Sequence, residues 1–177
     1  MPLLVTKVRD WLMRMTAAYP FISRQGEELW IRELSLDDID AYHAFLDALS
    51  AESIYRRFFS AHRPTSDSEL WRALDGNGER DVVLGVHCDG MLTAVARAAA
   101  RGPSAEVAFV VAEGWREHGI ATELLHALAR WAKEHSVETL TAETLGDNFD
   151  MLRVFDDAGY PIRKHLERGV WSVEMRL

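Results

Sequence analysis

The chain has 177 residues, 48% of them hydrophobic and 27% charged, a globular mixture rather than a disordered one, and its length suits one domain. Its 20 Lys and Arg against 28 Asp and Glu leave a net charge of −8, which disfavours nucleic acid as a partner because phosphate affinity needs a basic surface. The same acidic balance suits a cationic molecule such as an amine.

Leu4, Val8, Trp11, Leu12 and Met15 recur at helical spacing with Lys7, Asp10 and Arg14 between them, predicting an amphipathic helix before Pro20. These charges interrupt the segment too early for a signal peptide, and nowhere do about 18 apolar residues run together. A cytoplasmic protein with no membrane partner is expected. Residues 1–25 read as an N-terminal helical extension to a domain over 26–177, and the helix packs its apolar face on that domain or on a second copy in a homodimer, a membrane-surface role being the weakest alternative because its basic face is thin. Glu28–Leu34 reads as a strand. Ser35 and Asp38 make a capping-box start for a helix carrying Ile39, Tyr42, Leu46 and Leu49. Ser50 caps a second helix with Ile54, Phe58 and Phe59 on its buried side, and a short third helix from Ser66 to Leu74 ends at Asp75-Gly76-Asn77-Gly78.

Asp81–Cys88 and Met91–Ala99 flank Asp89-Gly90, a tight-turn dipeptide, so they pair antiparallel. The lone cysteine, Cys88, cannot form an internal disulfide, and neither Cys/His spacing nor the seven histidines suit a metal site. Ala105–Ala112 continues the meander after the turn Arg101-Gly102-Pro103-Ser104. From His118 to His135, the residues Ile120, Leu124, Leu125, Leu128, Trp131 and Ala132 form one apolar stripe. Val137–Thr144 reads as a strand, Asn148–Ala158 as a helix closed by Gly159, and Tyr160–Glu167 as another strand. Trp171, Val173, Met175 and Leu177 alternate with Ser172, Glu174 and Arg176 as the last strand. A β-meander that feeds a βαβαβ half predicts a mixed α/β fold with helices on both faces of a central sheet.

The chemistry concentrates in Ala105–Leu125. A strand ends, a loop turns, and a long helix begins with Gly119 and Ala121 in its first turn, so backbone N–H groups converge at a positive helix end, an arrangement suited to an anion. Small residues there let a phosphate approach the amides. Arg116-x-x-Gly119-x-Ala121 matches the Q/R-x-x-G-x-G/A motif of the GCN5-related N-acetyltransferases (GNAT), and the chain resembles that family from Glu28 to Leu177. Within it, Ser53–Phe59 and Ala105–Val111 resemble segments of bacterial Pat-type protein lysine acetyltransferases.

The resemblance implies a GNAT fold with a mostly antiparallel sheet, and an enzyme that takes acetyl-CoA as cosubstrate and acetylates an amine, a protein lysine first, in a ternary complex. A small-molecule amine acceptor and a non-catalytic acyl-CoA-binding domain are the alternatives. It places Phe109, Val110 and Val111 where strand backbone pairs with the pantetheine arm, and Arg116, Glu117, His118, Gly119, Ile120, Ala121 and Thr122 at the pyrophosphate. Asn148 matches a position whose side chain contacts the cofactor; it reads as well as a helix N-cap. Glu106 matches the general base, which takes the proton that an attacking ammonium must lose; its other reading is an exposed strand-end residue beside Gly102-Pro103. Glu143 is the reserve candidate. Two departures stand out: Phe155 occupies a position where many members carry a tyrosine as acid for the departing thiolate, and Glu117 puts an acidic side chain in the pyrophosphate loop.

Overall fold

The computed structural model describes residues 18–59, 72, 74, 75 and 81–177. The helix expected over Leu4–Met15, most of the one from Ser66 and the turn after Asp75 lie outside the described residues. Tyr19–Ile22 (β1) and Glu28–Glu33 (β2) form a hairpin, and Asp81–Cys88 (β3), Met91–Arg101 (β4) and Ser104–Val111 (β5) form the meander. Thr139–Leu145 (β6), Ile162–Glu167 (β7) and Val170–Arg176 (β8) complete one sheet in the order β1-β2-β3-β4-β5-β6-β8-β7. All neighbours run antiparallel except β5 and β6. Asp89 and Gly90 take φ of 47° and 81°, the left-handed pair that a two-residue hairpin turn requires.

β1 is the strand that the sequence pattern does not announce. Pro20 and the exposed Ile22 disguise its alternation, and pairing with β2, Tyr19 opposite Ile31 and Ile22 opposite Glu28, holds it in place. The sheet therefore begins earlier in the chain than Glu28.

The helices start where the sequence marks them. Ser35 and Asp38 close a capping box on a 3-10 turn, Leu36–Asp38, which leads into α1 (Ile39–Ala48). Arg32 grips the same Asp38 carboxylate at 2.6 and 3.0 Å. Ser50 caps α2 (Ala51–Phe58) by accepting from Ser53 N. After β5 and β6 come α3 (Ile120–Glu134) and α4 (Phe149–Asp156).

On one face of the sheet, Tyr42, Phe45, Leu46 and Ile54 of α1 and α2 pack on Val83, Val95 and Val110. On the other, Leu124, Leu125 and Leu128 of α3 and Phe155 of α4 pack on Val107, Phe109, Leu140 and Met175. Each fully buried leucine contributes about 1.5–3 kcal/mol relative to exposure. Among the described residues no helix is long and apolar enough to cross a membrane.

β5 serves both layers, with Val107 and Phe109 in one cluster and Val110 in the other. Its parallel pairing with β6 covers only Ser104–Thr139, Ala105–Leu140 and Glu106–Thr141. From Val107 onward the two strands part. The edge of β5 that faced β6 is left without a strand partner.

Candidate active site

The parting of β5 and β6 opens a cleft of about 490 Å³, walled by the end of β5, the start of α3, α2 and α4. Phe109, Val110 and Val111 line it. The ring of Phe109 serves the core, T-shaped against Phe155 at 6.2 Å between centroids. An unpaired strand edge offers N–H and C=O groups to any extended ligand that carries amides of its own.

The loop from β5 to α3 shapes the second part of the cleft. Glu117 and Gly119 both take positive φ, 63° and 82°, and Gly119 is the N-cap of the 15-residue α3 with no side-chain hydrogen bond closing it. The first amides of α3 therefore lack a capping acceptor and sit at the positive end of the helix dipole. Arg116, Glu117, Gly119, Ile120, Ala121 and Thr122 all line the cleft. His118 does not: its Nδ1 lies 2.6 Å from Arg116 O and its Nε2 lies 3.6 Å from Glu27 Oε1. Together with a hydrogen bond from Arg24 N to His118 O at 3.0 Å, these contacts dock the β1–β2 turn against the loop.

A polar network ties α2 to the same loop. Arg116 Nη2 donates to Ser53 Oγ at 2.6 Å, the Ser53 hydroxyl donates to Glu113, and Glu113 Oε1 also accepts from Ser50 N at 3.0 Å. Partial burial pushes the Glu113 carboxyl upward, but the hydrogen bonds from Ser50 and Ser53 outweigh it and hold the group at about 2. Arg56 spans the cleft from α2, its Nε 2.9 Å from Glu52 Oε1 and its Nη2 3.6 Å from Asp147 Oδ2.

Asn148 caps α4, its Oδ1 accepting from Met151 N at 3.4 Å, and it also lines the cleft. Glu106 is exposed and lies outside the lining residues. It stands opposite Thr141 at the last paired position before the strands part, on the same face of β5 as Val110. That face meets α2, where burial lowers the pKa of the Arg57 guanidinium and the charge of Glu106 acts against the shift. Glu143 is exposed on β6 opposite Ser172, away from the cleft lining.

Arg24, Trp115, Phe149, Met151 and Val154 also line the cleft, and sequence reasoning missed them. The α4 residues could have been found from their helical spacing after Asn148. Nothing local marks Arg24, which comes from a distant segment. Among the described residues no group of His, Cys, Asp or Glu is placed to hold a metal ion. Burial raises the thiol pKa of the free Cys88, which opposes a nucleophilic role.

Residues 28–161 match the family model of the acetyltransferase (GNAT) domain. The chain is 30% identical over 162 residues to acetyltransferase Pat of Mycolicibacterium smegmatis, covering 88% of this chain and 48% of that protein. It thus spans about half the length of that relative. The crystal structure of the GNAT domain of S. lividans PAT is similar with a TM-score of 0.83 and 30% identity, over 90% of this chain and 97% of that one. A GNAT-family acetyltransferase of Streptococcus pneumoniae shares the fold with a TM-score of 0.68 at 17% identity, over 84% of this chain and 99% of that one.

Proposed function

Since the chain belongs to the GNAT acetyltransferase family, we propose that its cleft takes acetyl-CoA and that the protein transfers the acetyl group to an amine. The observation that carries this reading is the parting of β5 from β6 beside an uncapped helix N-terminus. One cleft then holds both an open strand edge for the amide-bearing pantetheine arm and a row of free N–H groups for a pyrophosphate.

The edge at Phe109, Val110 and Val111 holds the arm, the loop from Arg116 to Thr122 holds the pyrophosphate, and Asn148 contacts the cofactor from α4. Acetyl-CoA, when bound, supplies an acyl group activated as a thioester. Glu106 takes the proton of the attacking ammonium. It does so directly or through water, and the backbone N–H of a strand residue near Val110 polarises the thioester carbonyl. Phe155 has no proton to give, and a thiolate with an unperturbed pKa near 8.5 needs little help to leave.

A protein lysine is the acceptor we favour, supported by the 30% identity to acetyltransferase Pat and by the Pat-like Ser53–Phe59 and Ala105–Val111. One observation favours a small amine instead: the Arg56–Asp147 bridge narrows the way in. Thiol release from acetyl-CoA, measured with a panel of lysine-bearing proteins and small amines, separates the two. Glu106→Gln should lower kcat at least about 100-fold and leave CoA affinity unchanged. CoA binding without turnover on any acceptor would reduce the protein to a binding domain.

A further inference from the structure

We propose that Arg24, in the turn between β1 and β2, is a cofactor-binding residue that grips the pyrophosphate of CoA from outside the loop. The proposal rests on reading the cleft as an acetyl-CoA site. The backbone of Arg24 is fixed relative to the loop by its hydrogen bond to His118 O at 3.0 Å. The buried Ser23 organises the turn itself, its Oγ accepting from Gln25 N and Glu27 N at 3.1 and 3.2 Å.

From that anchor the side chain crosses Gly119. A Cβ built on Gly119 would lie 3.3 Å from both Cγ and Nε of Arg24, so the glycine makes room for the arginine as well as for a ligand. Arg24 lines the cleft beside Ala121 and Thr122. Arg56, Arg97 and Arg116 each hold a carboxylate or a hydroxyl; among the described residues Arg24 makes no ion pair and no side-chain hydrogen bond. The loop contributes Glu117, a negative charge on the cleft wall. A guanidinium brought in by the hairpin offsets that charge, and its planar fork matches phosphate oxygens.

Calorimetric titration of the full chain with CoA and with 3′-dephospho-CoA tests this. R24A should bind both about tenfold more weakly and lose part of the salt dependence of binding, and its melting temperature without ligand should match wild type. R24Q, uncharged but of similar length, should show the same loss. Weakening with CoA alone would move the contact to the 3′-phosphate and overturn the proposal, and unchanged or tighter binding would overturn it outright. Wild-type protein that binds neither nucleotide would remove the proposed function itself, a result distinct from wild-type binding that is indifferent to Arg24.

Discussion

Phe155 and Glu117 are the two positions singled out as departures from the GNAT pattern that the sequence resembles, and their surroundings give the departures different weights. Phe155 is 1% exposed and set edge-on to Phe109, so its ring is part of the layer between the sheet and α3–α4. Phe155→Tyr adds a hydroxyl to apolar surroundings. It should lower stability by about 1–3 kcal/mol, the cost of an unpaired buried O–H, and leave kcat unchanged. Thermal melts and steady-state rates check both, and a rise in kcat would mean that the new hydroxyl reaches the leaving sulfur. Glu117 is exposed and holds a positive φ of 63°, with its charge close to where a pyrophosphate would lie. Glu117→Gln removes that charge and keeps the size of the side chain. Because the carboxylate is solvated, the gain is bounded at about 1 kcal/mol, a severalfold fall in the dissociation constant for CoA. Weaker binding in that variant would show that Glu117 supports the loop.

Among the elements, α2 and the β5–α3 loop depend on each other through Glu113, Ser50, Ser53 and Arg116. Ser53→Ala removes the hydroxyl that links Arg116 to Glu113. It should cost about 1 kcal/mol and raise KM for acetyl-CoA, because the loop keeps only the Ser50 N–Glu113 hydrogen bond of its braces to α2. The same network gives a pH dependence. Glu113 titrates at its ordinary value of 4.5 when unfolded and at about 2 when folded, so its contribution is complete above pH 4.5 and falls away as pH drops from 4.5 toward 2. Its side chain is 39% exposed, and solvent screening holds the contribution to about 1 kcal/mol. Denaturant melts between pH 6 and pH 3 should show the wild-type advantage over Glu113→Gln shrinking as the pH falls; an advantage constant with pH would mean that the charge is irrelevant. The elements were readable in advance because their ends are written locally, in Ser35 with Asp38, in Ser50, in Asp89-Gly90 and in Gly159. The network was not, since Ser53 and Arg116 meet only through the fold and no pattern near either marks the other. β1 escaped for a related reason: four residues that include Pro20 and an outward Ile22 carry too little alternation to register.

At the scale of the whole molecule, the sheet consists of two parts, β1–β5 and β6–β8, joined by three residue pairs, Ser104–Thr139 through Glu106–Thr141. The loop motif on one side of the opening was visible as a contiguous string. The opening itself was not, because where two strands stop pairing is decided by the helices wedged on either face. α3 packs on β4 and β5 through Leu124, Leu125 and Leu128, and α4 fills beneath the gap with Leu152 and Phe155. A ligand that bridges the two parts should act on the fold as a missing strand would. CoA at 100 times its dissociation constant stabilises the native state by about 2.7 kcal/mol, which for a chain of this size raises the melting temperature by roughly 5–10 °C. Hydrogen exchange then locates the gain. The amides of Val107, Phe109 and Val111 face the β6 side without a strand partner there and should become protected on binding, together with those of Gly119–Thr122. Protection confined to the α3 end, with the β5 edge still exchanging as in the free protein, would mean that the pyrophosphate is held while the arm lies elsewhere; the acetyl group would then not reach Val110, and the direct-attack geometry around Glu106 would fail with it.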